Sequence, residues 1–145
     1  MVTLAFYRGP PRGLWGLFTR AIRWWTSGPY SHVEVILATP KGTLWATSDA
    51  AEGGVVLRIK GDTIPGEWDL VKIKADPQKV FEWFASREGL GYDYLGIFGF
   101  VVRKVTGASN RYFCGEAACA STGMKDPWRF DPNTLHAALT APAHE

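Results

Sequence analysis

Between residues 30 and 74 the chain alternates apolar and polar side chains in four short runs, and on either side of that block the apolar spacing widens to three and four residues. A period of two belongs to strands and one of 3.6 to helices. Segregated blocks of this kind predict an α+β fold, a central antiparallel β-sheet or small barrel packed against helices. The strands read as residues 30–38, 43–48, 55–59 and 69–74, the first two joined by the turn Thr39-Pro40-Lys41-Gly42. Residues 2–7 form an earlier strand. Leu14, Leu17, Phe18, Ala21, Ile22 and Trp25 then recur at helical spacing until Ser27-Gly28-Pro29. Asp76-Pro77 opens a second helix, with Asp as cap and Pro in the first turn. Val80, Phe81 and Phe84 are its expected buried stripe, and Gly89 and Gly91 its close. Further helices are expected over residues 94–105 and 114–122 and from Asp131-Pro132 to 139. With no repeat or low-complexity tract, residues 1–145 read as one domain.

The first strand of the block carries an unusual pair. Val33, Val35 and Leu37 share one face and belong in a core, whereas Tyr30, His32, Glu34 and Ile36 share the other. A histidine and a carboxylate on one sheet face cost free energy unless they are paired or functional. A turn centred on Pro40-Lys41 sets Ile36 opposite Trp45, Glu34 opposite Thr47 and His32 opposite Asp49. Directly opposed residues lie about 4.5–5.5 Å apart at Cβ. Glu34, Thr47 and Asp49 are therefore all candidates to orient the His32 ring, with Glu34 preferred.

Cys114 stands at the expected start of a helix. There it meets unpaired backbone N–H groups and the positive end of the helix dipole, both of which favour thiolate. Its pKa is expected below the free value of about 8.5. Gly115 leaves room for a substrate carbonyl near the backbone N–H groups, a possible part of an oxyanion hole. Cys119, five residues on and about 140° around the helix, points elsewhere and is expected in the core. Glu116 is about 200° from Cys114 and suits a helix-dipole or hydrogen-bonding role. Asp93 reads as the cap of the helix that follows it, and Tyr92 as a cleft-edge residue.

Composition narrows the rest. With 46% hydrophobic and 21% charged residues the chain is globular. Seven Trp exceed what one small core needs, so some are expected to line a cleft. A net charge of +2 gives no case for nucleic acid. The early basic cluster, Arg8, Arg12, Arg20 and Arg23, reads as a solvated face. Two cysteines without ligand spacing predict neither a disulfide framework nor a metal site. No cofactor is expected, and His136 and His144 read as solvated. The N-terminus carries no signal-peptide pattern, and the apolar run from 94 to 102 is shorter than the ~20 residues a membrane span needs. A cytoplasmic, soluble, monomeric product is the expectation, with delivery elsewhere left to other factors.

Tyr30-Ser31-His32-Val33-Glu34, Tyr92-Asp93-Tyr94-Leu95-Gly96 and Phe113-Cys114-Gly115-Glu116, in that order, resemble the motifs of the circularly permuted NlpC/P60 families. These include the YiiX/YebB-like hydrolases, the lecithin retinol acyltransferase group and small phage-encoded relatives. Residues 53–58 are also similar to theirs, and the likeness covers residues 30–118 in pieces. The resemblance implies a papain-like fold with Cys114 as nucleophile and His32 as base. It implies a cysteine hydrolase that cleaves an amide, by preference in a peptide of peptidoglycan, through an acyl-enzyme. Two departures stand out. The strand after the histidine strand lacks a Glu or His as third residue, and Gly115 replaces the usual Ser. Two alternatives remain open. One is a lipid acyl hydrolase or acyltransferase at an anionic membrane, touched through the Leu14–Trp25 stripe. The other is a non-catalytic binding module that retains the cleft.

Overall fold

The computed structural model describes residues 1–11, 16–61, 66–94 and 111–142. The architecture is α+β. Seven strands form one sheet: β1 (Val2–Tyr7), β2 (His32–Thr39), β3 (Gly42–Asp49), β4 (Gly54–Ile59), β5 (Trp68–Ile73), β6 (Gly91–Tyr92) and β7 (Arg111–Tyr112). Their order across the sheet is β5-β1-β2-β3-β4-β6-β7, and every pairing is antiparallel except β6 with β7. Among the described residues the helices are α1 (Gly16–Trp25), α2 (Pro77–Ala85), α3 (Cys114–Ser121) and α4 (Pro132–Thr140), with a 3-10 turn at Pro127–Arg129. The expected helix over residues 94–105 lies outside the described residues.

Local chemistry explains the boundaries. Asp76 caps α2 through the Gln78 N–H, and Asp131 caps α4 through the Asn133 and Thr134 N–H groups. Proline occupies the first turn of both. The β2–β3 turn is Pro40-Lys41, which places Ile36 opposite Trp45. Gly54, at a φ of 150°, lets β4 approach the Leu90 carbonyl closely enough to pair with β6. Helix α2 ends at Ala85, before Gly89, and the turn between them leads into β6. Val80 and Phe84 are buried, four apart on one stripe, whereas Phe81 turns outward and is exposed, against expectation.

The sheet separates two environments. Leu4, Phe6, Val33, Val35 and Leu37 point to one face, where they pack with Val80 and Phe84 of α2, Ala117 and Cys119 of α3 and Leu135 of α4. Alternation puts Tyr7, His32, Glu34, Trp45, Thr47 and Trp68 on the other. Strand register lines them up: Tyr7 pairs with both His32 and Trp68, and Trp45 with Ile36 and Arg58. A cleft of about 530 Å³ occupies that second face, with Phe18, Thr19 and Ile22 of α1 along its rim.

Candidate active site

His32 opens strand β2 at the end of the sheet where α3 begins. Its Nε2 faces three oxygens: Thr47 Oγ1 at 3.5 Å, Glu34 Oε1 at 3.6 Å and Asp49 Oδ2 at 3.8 Å. Cys114 lies close enough to the ring to act on its pKa. The structure thus brings together all five residues nominated for the polar site: Cys114, His32, Glu34, Thr47 and Asp49.

The three oxygens differ in what else they do. Thr47 donates its hydroxyl hydrogen to the Val33 carbonyl at 2.8 Å, which leaves a lone pair for a His32 N–H. Asp49 accepts from the Ala51 N–H at 2.8 Å. Glu34, 2% exposed, holds Lys60 Nζ at 2.6 Å and Arg58 Nη2 at 3.0 Å on the same oxygen that faces His32. At 3.6 Å it acts on the ring more as a charge than as a close hydrogen bond. Arg58 extends the chain of charges to Glu52 and lies 3.9 Å from Asp49. Arg58 and Lys60 are functional candidates that the reading of the chain missed. Their signal was two cations two positions apart, one near the end of a strand and one just past its end.

Charge settles the protonation states. Burial would lower the His32 pKa, but hydrogen bonding to Cys114 and Glu34, and their charge, raise it to about 10. Burial would raise that of Glu34, but His32, Arg58 and Lys60 hold it down to about 2. At neutral pH the site therefore carries an imidazolium beside a carboxylate. Tyr92, 5% exposed, lines the cleft, and burial followed by the charge of Cys114 and Asp49 keeps its phenol neutral well above the ordinary range.

Cys114 is 3% exposed and opens α3 after Phe113, which is its N-cap. It packs in the core cluster and does not border the cleft among the described residues; His32 connects the two. Glu116 accepts a hydrogen bond from the Phe113 N–H, one half of a capping box. Burial, then the charge of Asp93, raises its carboxyl to about 7. Cys119 is fully buried, and burial together with the charges of Cys114 and Glu116 pushes its thiol up to about 12.

Three expectations need correction. The space above the Gly115 Cα is taken by the Phe130 carbonyl, so the missing side chain accommodates backbone rather than a substrate. Tyr30 precedes β2 and does not share the His32 face. It is buried in the core, donates to Asp69 Oδ2 at 2.5 Å and lies 3.2 Å from His136 Nε2. His136 accordingly is half-buried rather than freely solvated; it packs at 4.5 Å on Tyr30 and 5.0 Å on Phe6. Of the basic cluster, Arg8 and Arg20 are exposed, Arg23 is half-buried and donates to the Gly9 carbonyl, and Arg12 lies outside the described residues.

Both cysteines are free. Among the described residues no group of three His, Cys, Asp or Glu is arranged to hold a metal ion. No helix among them is long and apolar enough to cross a membrane. Comparison with family models found no match, and comparison with curated proteins found none.

Proposed function

We propose that the chain is a papain-like cysteine hydrolase of the permuted NlpC/P60 kind, acting on an amide. The observation that carries this reading is the His32 ring, held between Cys114 on one side and Glu34, Thr47 and Asp49 on the other. The Cys114 thiolate attacks the carbonyl carbon and the carbon–nitrogen bond breaks. His32 gives its proton to the departing amine. Water then attacks the thioester, His32 takes one of its protons, and the acid leaves with Cys114 restored. The preference for a peptide of peptidoglycan rests on the motif resemblance alone.

The test is brief exposure of the native protein to iodoacetamide at neutral pH, followed by intact-mass and peptide analysis. One label on Cys114 and none on Cys119 is the expected result. Equal labelling of both, or of neither, would sink the reading. Once a substrate is found, Cys114→Ala abolishes turnover and Cys119→Ala preserves it.

The burial of Cys114 favours a second reading, a binding module that uses the cleft without a reaction. A native protein that leaves Cys114 unlabelled while binding peptide fragments in the cleft would support it.

A further inference from the structure

Helix α1 presents apolar side chains on two sides. Phe18 and Ile22 line the cleft. Leu17 and Trp24, two turns apart on the outer side, are 78% and 77% exposed. Trp25 lies beside Trp24, 47% exposed, with the rings 6.0 Å apart. No residue of the helix is buried, so packing among the described residues accounts for the inner stripe only in part and leaves the outer stripe uncovered.

The charges of α1 are all of one sign. It contains Arg20 and Arg23 and no acidic residue. Arg23 is drawn to the body of the protein, donating to the Gly9 carbonyl at 2.7 Å and to Ser31 at 3.3 Å. Arg20 is exposed and sits within the outer stripe, three residues after Leu17 and four before Trp24. The carboxylates that line the cleft with the inner side of the helix are Glu34, Asp49 and Glu67.

We propose that the outer face of α1 docks the protein on an anionic membrane surface. Trp24, Trp25 and Leu17 enter the boundary between headgroups and acyl chains, and Arg20 meets the lipid charge. Indole and guanidinium beside aliphatic surface, without acidic residues, are the chemistry of an interfacial helix. A second copy of the chain fits less well. The outer stripe offers roughly 400 Å² of apolar surface, about half of what one partner contributes to a stable interface. Because the inner stripe lines the cleft, docking also brings the cleft mouth to the bilayer surface. The inference stands on the exposure and charge of α1 and not on the activity of Cys114.

The experiment is co-sedimentation of the whole chain with phosphatidylcholine vesicles, with and without phosphatidylserine, read also by tryptophan emission. The wild type is expected to pellet with the phosphatidylserine vesicles, less so at high salt, with a blue-shifted emission. Leu17→Glu with Trp24→Glu lowers partitioning by about tenfold or more. Arg20→Gln lowers it by about fivefold. Both sites are exposed, and circular dichroism checks that the variants keep the fold. Failure of the wild type to bind phosphatidylserine vesicles overturns the proposal, as does undiminished binding by the double variant. So does a wild-type dimer, seen by sedimentation equilibrium, that Trp24→Glu dissociates.

Discussion

A carboxylate 2% exposed, with a lysine, an arginine and an imidazolium around it, titrates far below a free glutamate. The Glu34 carboxyl falls from 4.5 to about 2. A group whose pKa is depressed by folding stabilises the native state above its unfolded value, and that stability is lost as pH falls through the folded one. Glu34 should therefore contribute of the order of 3 kcal/mol above pH 4.5 that disappears towards pH 2. Urea titrations across that window should show a steep loss in the wild type and a shallower one in Glu34→Gln. At neutral pH the variant should be less stable by about 2–3 kcal/mol, since it leaves two cations without their counter-charge. The His32–Glu34 pair was legible because strand phase alone puts both side chains on one face. The cations were not, because β4 follows a turn whose length does not reveal which residue of β3 each faces. Proximity of Arg58 and Lys60 to Glu34 is set by that register and the sheet's curvature, and neither is written in local periodicity.

Helix α3 shows how an element can be read correctly and still be misjudged in its surroundings. Its start at Cys114, its capping by Glu116 and the burial of Cys119 all follow from the residues themselves. The tight contact of Gly115 with the Phe130 carbonyl does not, since it joins segments that only tertiary packing brings together. Gly115→Ser, the residue usual in the resembling families, should force that carbonyl to move and cost about 1–3 kcal/mol. Thermal unfolding measures this; an unchanged Tm would show that the segment yields freely. Elsewhere the pattern of residues was a good guide where it ran long. The five longer strands and the proline-headed helices α2 and α4 were expected within a residue or two at their starts. Strands β6 and β7 have two residues each, too few for any period to register. Tyr30 was misplaced because alternation was carried back past the first true strand residue, His32.

Across the whole molecule the sheet divides labour: one face is packed by helices, and the other borders the cleft. Substitutions on the two faces should separate accordingly. Phe84→Ala removes a fully buried ring from the helical face and should cost about 3–5 kcal/mol. Asp49→Ala, at the cleft rim, breaks only partly exposed ion pairs and should cost about 1 kcal/mol or less. The order reverses in the chemistry. Asp49→Ala should change the pH profile of Cys114 alkylation, and Phe84→Ala should leave it as it is wherever the protein is folded. Urea midpoints and alkylation rates on the same two proteins check both halves. The positions of His32 and Cys114 in the chain have a further consequence. His32 opens the second strand, whereas Cys114 arrives with the third helix. On a ribosome His32 is made long before Cys114, and the five longer strands are complete before Cys114 is joined to the chain. A nascent chain that stops short of α3 holds His32 without Cys114, so whatever reactivity the pair has waits for that helix.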